Sequence, residues 1–352
     1  MSAESTTRFL GESEYGTWRD FVARSPDGSV YSLAEFLAAL CASAGGTFRI
    51  LVAERDKRIV GGIGLYEHSG RYGAYVSPRR LLYYNGFVLS PHDSKYPSQR
   101  TSWQLQTQAA LESAVVALGH ARVRIKSRHT QDDARVFLKR GWSATPTYSY
   151  VVDIADLEIA WARVDKNLRR LITRCRESGL TITHDDDFDA FFRLHAQTHD
   201  RKGAPIYLPR EAFGRFVETL RAQDLIRLYH ARLPDGHVAA SQLVLRGPHP
   251  VTHTVAAGAD AKYLSLGASA FLRWSVFEDL SRAGYKANDL TDAELNPVTH
   301  FKSQLGGDLT LSLELARPDS LGWRSREMLA SAPHNARRIA GGVLKKLKGK
   351  SE

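Results

Sequence analysis

The chain has 352 residues, 43% hydrophobic and 24% charged, which suits two globular units of roughly 150 residues with sizeable cores. Its two cysteines, Cys41 and Cys175, are far apart and in no CxxC pattern, which argues against a disulfide scaffold or zinc site and for a reducing compartment. MSAESTTRFLGESEYG lacks the basic-then-apolar pattern of a secretory signal, and no apolar run approaches the roughly 20 residues that span a bilayer, so the expectation is a soluble, cytoplasmic protein.

In chain order, amphipathic helical patterns at 17–24 and 32–41 precede FRILVAERDKRIVGGIGLYE (48–67), two apolar strands broken at Arg55-Asp56-Lys57. YYNGFVLSP (83–91) follows as an aromatic-rich loop. Its Tyr84 and Asn85 suit contact with a sugar or peptide acceptor, or packing between two parts of the fold. SQRTSWQLQTQ opens a helix that ends near Gly119, and a short strand and VFLKRGW come next. Residues 153–180 read as one charged helix carrying Asp165, Arg169, Arg170, Arg174 and Arg176, the start of a second unit. HDDD (184–187) reads as a solvated turn with helix-capping acids, and helical patterns follow at 187–199 and 210–222.

His195 and His199 stand at i and i+4, but without a Glu beside the first or a third ligand no metal is expected. Arg201 and Lys202 precede a Gly and a Pro and so belong to a loop, where they bind an anionic acceptor or make ion pairs; Arg169 and Arg170 carry the same two readings, or face tRNA. IRLYHARLPDGHVAASQLVLR (226–246) is a second hairpin, turning at Pro234-Asp235-Gly236. In GASAFLRWSVFEDLSRAGYKANDL the residues Leu272, Val276, Leu280 and Ala283 share one helical face, and Gly284 caps it. Trp161 and Trp274 read as core. Residues 331–352 set six basic residues against Glu352 alone, a tail suited to nucleic-acid phosphates or an anionic membrane surface, or simply solvated.

The order repeats: helix, helix, hairpin, third helix, short strand, short helix, glycine turn. The offset is 165 residues between Gly119 and Gly284 and 164 between Phe137 and Phe301. The reading is an α/β (α+β) chain of two homologous halves, each a mixed twisted sheet flanked by helices. The halves are 1–150 and 151–320, followed by a basic tail at 321–352.

This order resembles the GNAT acyltransferase fold, present twice, as in the Fem-like (FemAB/FemX) aminoacyltransferases and related GNAT-type acetyltransferase domains. The residues that carry the resemblance are NLRRLITRCRESGLTI (167–182), THDRKGAP (198–205), DGHVAASQLVL (235–245), YLSLGASAFLRW (263–274), NDLTD (288–292) and HFKSQLGG (300–307). It implies an N-acyltransferase that moves an aminoacyl group from aminoacyl-tRNA to an amine of a cell-wall precursor. An acyl-CoA enzyme acting on an amino sugar of envelope or exopolysaccharide, and a non-catalytic tRNA- or glycan-binding protein, are the alternatives.

The resemblance implies a donor site in the second half. It comprises Tyr263, Leu266, Gly267, Ala268 and Ser269 at a helix start, where free amides suit phosphates. The usual Gln/Arg-x-x-Gly-x-Gly/Ala pattern keeps Gly267 but has Leu264 in the basic or amide position and Ser269 at the end, which weakens pyrophosphate binding; the loop is otherwise a plain helix start. The first half lacks these glycines and would hold the acceptor or form the cleft wall; the acceptor contacts expected are Tyr84 and Asn85 from the first half and Arg169 and Arg201 from the second. Phe301-Lys302 matches the Phe-Lys pair at the donor end of the Fem-like cleft: Lys302 would stabilise an oxyanion or a phosphate, and Phe301 would exclude water. Asp289 lies near the acceptor amine by the same resemblance, as a proton acceptor or an electrostatic partner of Lys302; Asp289 or Asp292 as a helix cap is the plain reading. No cofactor beyond the co-substrate is implied. The partners implied are tRNA, a nucleotide- or lipid-linked glycan, and a membrane surface touched by the tail.

Overall fold

At Asp56 and Lys57 the backbone is left-handed (φ 50° and 60°), the two-residue turn whose twist matches paired strands. It joins strands of nine and thirteen residues in a sheet that both halves share. The computed structural model describes residues 5–79, 81–295 and 297–325. The first half contains β1 (Thr6–Phe9), α1 (Tyr15–Arg24), α2 (Ala34–Ala44), β2 (Thr47–Arg55), β3 (Arg58–Gly70), β4 (Gly73–Val76), β5 (Val88–Leu89), α3 (Pro97–Ala117), β6 (Arg122–Lys126), α4 (Arg135–Lys139) and β7 (Ser143–Asp153). The second contains α5 (Leu157–Arg163), α6 (Lys166–Glu177), β8 (Thr181–Thr183), α7 (Phe188–Arg201), α8 (Arg210–Ala222), β9 (Ile226–Arg232), β10 (Val238–Leu245), β11 (Val251–Ala259), α9 (Ala268–Arg282), β12 (Ala287–Asp289), α10 (Pro297–Ser303) and β13 (Asp308–Ala316).

The strands form one mixed sheet in the order β1-β2-β3-β4-β6-β13-β7-β12-β11-β10-β9-β8, with β5 on β3. The two halves exchange their last strands. β13 lies antiparallel between β6 and β7, with Leu315 opposite Ile125 and Leu311 opposite Tyr148. β7 in turn pairs with β12, Asp289 opposite Val151.

Helices cover both faces. In α8 the buried residues Phe213, Phe216, Val217 and Leu220 fall at i, i+3, i+4 and i+7, and this stripe meets Phe36 and Leu37 of α2 in a core shared by both halves. Phe36 and Phe216 meet edge to face at 5.8 Å. On the other face, α6 and α9 bury Ile172, Phe277 and Leu280 against the second half, and α3 buries Leu111 and Val115 against the first.

The charged helix expected over 153–180 is two helices. Asp165 interrupts it, its carboxylate accepting from the Asn167 amide at 2.8 Å and so starting α6 afresh. HDDD is more than a solvated turn: Asp187 caps α7, and Asp185 and Asp187 both accept from Arg232, at 2.8 and 3.1 Å. Arg201 is the last residue of α7, with Lys202 its cap, rather than part of a free loop. Among the described residues no helix is long and apolar enough to cross a membrane. The basic tail, from residue 326 onward, lies outside the described residues.

Candidate active site

β11 and β12 pair in parallel over three residues only, Val251–His253 against Ala287–Asp289. Beyond them β12 stops and β11 runs on to Ala259, so the sheet opens. A cavity of about 590 Å³ occupies the opening, between the ends of β10 and β11, the start of α9, and α6, α7 and α10.

Two glycines shape it. Gly258 on β11 packs so tightly under α7 that an added Cβ would lie 2.4 Å from the Leu194 carbonyl oxygen. Gly267 precedes α9 with φ +93°, and an added Cβ would meet Leu171 of α6 at 3.1 Å. α9 has no side-chain cap: the Ala270 amide turns back to the Gly267 carbonyl at 2.9 Å, and the amides of Ala268 and Ser269 at the helix start receive no capping side chain. Of the donor residues expected from sequence, Gly267 and Ser269 line the cavity; Tyr263, Leu266 and Ala268 do not. Tyr263 instead packs against the His237 ring, the Leu266 carbonyl accepts from Cys175 at 3.0 Å, and Ala268 is buried in the core.

Three cations line the cavity, and no carboxylate stands among its described lining residues. Arg201 donates to Thr198 Oγ1 at 3.1 Å and to the Ala259 carbonyl at 3.0 Å. Arg273, on α9, has a buried and unpartnered Nη1, and burial pushes its guanidinium down to about 10. Burial, then the neighbouring charges of Arg201 and Arg273, also lower the Lys202 ammonium.

Phe301 lines the same cavity; Lys302, the next residue, is not among its lining residues. The Lys302 ammonium donates to the carbonyls of Thr291 and Asp292, the second at 2.6 Å. Both of those residues are left-handed (φ 44° and 57°), a conformation that costs a β-branched residue such as threonine about 1–3 kcal/mol and turns the two carbonyls toward one cation. Burial, followed by the charge of Arg273, lowers Lys302 to about 8.

Asp289 does not line the cavity. It is wholly buried at the end of β12 and accepts from the Tyr84 hydroxyl at 2.9 Å, the Thr291 amide at 2.8 Å and the Ser149 hydroxyl. Burial alone would raise its carboxyl. The His253 ring 3.6 Å away and the donated hydrogen bonds outweigh burial and hold it well below the usual carboxylate range. Tyr84 is therefore a tie between the halves. Asn85 has its amide on the Arg124 carbonyl at 2.9 Å and its oxygen on the Lys126 amide at 2.8 Å, latching a loop to β6.

Arg169 lies elsewhere, in a separate groove of about 510 Å³ along α6 with Trp161, Lys166, Arg170 and Arg174. Trp274 is core, its ring centroid 4.6 Å from that of Trp161. His195 is buried against Phe191, 5.7 Å between centroids, and burial pushes it down to about 3.

Among the residues of the cavity wall that the sequence reading missed, two carry unpaired polar groups, Gln242 and Arg273. Each left a faint signal: a carboxamide inside the buried strand VAASQLVL and a guanidinium inside the apolar run AFLRWSVF.

Residues 162–303 match the acetyltransferase (GNAT) domain family. No curated protein matches the chain. Among solved structures the fold is similar to FemX, with a TM-score of 0.69, 12% identity, and coverage of 88% of this chain and 96% of that one. It is also similar to the C-terminal domain of a putative lysylphosphatidylglycerol synthetase from Agrobacterium fabrum, with a TM-score of 0.55, 13% identity, and coverage of 88% and 93%. A tandem GNAT protein from the clavulanic acid biosynthesis pathway scores 0.53, with 13% identity and coverage of 90% and 98%. The chain thus shares the fold of FemX, and the part of it that matches the acetyltransferase (GNAT) domain family, residues 162–303, lies in the second half and includes most of the cavity wall.

Proposed function

We infer that the protein is an N-acyltransferase that takes its acyl group from aminoacyl-tRNA. The observation that carries this reading is the charge of the opening between β11 and β12: Arg201, Lys202 and Arg273, with no carboxylate among its described lining residues, and Lys302 close enough to feel the charge of Arg273. Such a site suits a donor that arrives on phosphodiesters. Leu264, half exposed where a basic or amide residue would grip a pyrophosphate, favours the RNA donor, as does the row of cations on α6 beside the cleft. One of the similar structures is named for placing a lysyl group on a phospholipid, which is in keeping with aminoacyl chemistry on this fold.

In this reading the second half holds the donor and the first half walls the acceptor site. The acceptor is an amine of a nucleotide- or lipid-linked glycan, and the enzyme works in the cytoplasm. The amine attacks the ester carbonyl, the Lys302 ammonium moves from its two carbonyls to the developing oxyanion, and the ester C–O bond breaks. The amine loses one proton and the departing ribose oxygen gains one. Phe301 keeps water from the ester. Asp289, fully engaged by Tyr84 and Ser149, positions the 289–292 loop that holds Lys302.

A second reading has one observation in its favour. The uncapped start of α9 behind Gly267 suits the pyrophosphate of an acyl-CoA, with an amino sugar as acceptor. Competition between aminoacylated tRNA, deacylated tRNA and acetyl-CoA across a salt series tests the two. Preference for the aminoacyl form without acetyl-CoA binding supports the first reading. Acetyl-CoA binding, with both tRNAs fading together as salt rises, overturns it for the second.

A further inference from the structure

Two polar side chains inside the cleft have no use within the protein itself. Gln242, on β10 between Leu243 and Ser241, is wholly buried, and neither its oxygen nor its nitrogen has a partner. Arg273 presents a buried, unpaired Nη1 from α9. Both line the 590 Å³ cavity, whose neighbouring wall is Ala240, Ala257, Gly258 and Phe301. Buried amides and guanidinium groups are almost always paired in proteins, so two unpaired ones on one cavity wall mark where a ligand's own polar atoms fit.

We propose that Gln242 and Arg273 form an acyl-recognition subsite, which selects acyl groups whose side chain carries an oxygen function (hydroxyl, carboxamide or carboxylate) and excludes cationic ones. A guanidinium only donates, so its partner must be an acceptor; a carboxamide both donates and accepts, which fits a hydroxyl or carboxamide as well as a carboxylate. A lysyl side chain would meet Arg201, Lys202 and Arg273 with no carboxylate to balance it. The proposal rests on the cleft being the acyl-donor site.

The test is equilibrium binding of two probe series. One is a set of stable cytidylyl-adenosine dinucleotides with a 3′-amide in place of the ester, bearing seryl, aspartyl, alanyl or lysyl groups. The other is acetyl-CoA and succinyl-CoA. The expected result is seryl and aspartyl probes about tenfold or more tighter than alanyl, with lysyl weakest. Gln242→Leu should bring the seryl-to-alanyl ratio near one, and Gln242→Glu should raise lysyl binding and lower aspartyl. Equal binding of seryl, aspartyl and alanyl probes, unmoved by Gln242→Leu, overturns the subsite and leaves the tRNA reading standing. Binding of the CoA series alone, succinyl over acetyl with the preference lost in Gln242→Leu, keeps the subsite and overturns the tRNA donor. Binding of neither series overturns both.

Discussion

The Lys302 ammonium lies 2.6 Å from the carbonyl oxygen of Asp292, and so ties α10 to the left-handed turn that follows β12. Two backbone carbonyls are partners that a cation can leave without stranding a charge, since neither is ionised.

The first prediction concerns that cation. Burial lowers Lys302 to about 8. If the ammonium is the working form, kcat/KM is full below that value and falls as pH rises through it. Lys302→Ala should lower transfer about 100- to 1000-fold, the usual loss for one oxyanion donor. Lys302→Arg should not restore it, because a planar fork cannot take the ammonium's place between two carbonyls. Stability moves the opposite way: from about 8 to the unfolded value near 10.4 the unfolded chain holds more protons, so Lys302 adds stability as pH rises. Rate and melting profiles measured from pH 6.5 to 9.5 separate the two, and a loss of rate that tracks unfolding would refute the assignment.

Tyr84 and Asp289 give the second prediction. Their 2.9 Å bond spans the two halves inside the protein. Tyr84→Phe leaves a buried carboxylate one donor short, at a cost of about 1–3 kcal/mol. Because Asp289 is held below its ordinary range, its stabilisation is present above the unfolded value near 3.9 and lost as pH falls below it. Acid unfolding followed by circular dichroism should therefore begin at higher pH in Tyr84→Phe than in the wild type. An unchanged acid limb would mean that the bond contributes nothing to the ionised form.

Local signals made much of the fold legible, and non-local pairing hid the rest. The Asp56–Lys57 turn, the apolar stripe of α8 and the glycine after α9 each carry their own short-range chemistry, and the structure has all three where the sequence puts them. The exchange of β7 and β13 was not legible, because Leu315 gives no sign of its partner Ile125, 190 positions away. The break at Asp165 could have been read as a cap, but the run of arginines around it masked it. At the site, Phe301 and Gly267 were legible through motif positions. Gln242 and Arg273 were not, since each sits within an apolar period that reads as pure core.

The strand exchange yields the third prediction. Since β13 separates β6 from β7, neither half can complete its own sheet. Residues 1–155 produced alone should leave the Ile125 edge unpaired and aggregate or remain partly unfolded, and co-production with 156–352 should recover a soluble complex. Gel filtration and hydrogen exchange at Val123 and Ile125 read this directly. A stable, monomeric first half would refute it.

Gly258 gives the fourth. Its missing Cβ is the space in which the Leu194 carbonyl lies, and backbone cannot move aside as a flexible side chain can. Gly258→Ala should push α7 off the sheet, cost about 1–3 kcal/mol, and displace Arg201 and Lys202 from the cavity wall. Donor binding should weaken more than stability alone explains. A variant that melts lower yet binds donor normally would separate α7 from the donor site.

The last prediction tests which donor reaches the cleft. Lys166, Arg169, Arg170 and Arg174 line the groove on α6 with Glu177 as the one acid among its described lining residues, while Leu168 and Leu171 of the same helix face the cavity. One helix thus presents cations outward and a cleft wall inward, as a strand whose 3′ end enters the cavity and whose stem runs along the outside would require. Arg169→Glu with Arg170→Glu should weaken aminoacyl-tRNA binding and flatten its salt dependence by about 0.9 in logarithmic slope for each phosphate no longer neutralised. Binding of the short cytidylyl-adenosine probes, which end inside the cleft, should hardly change. If tRNA binding and its slope are unmoved, the stem does not lie on α6. If the short probes weaken in parallel, the substitutions act through the cleft wall at Leu168 and Leu171 rather than through the phosphates of the stem.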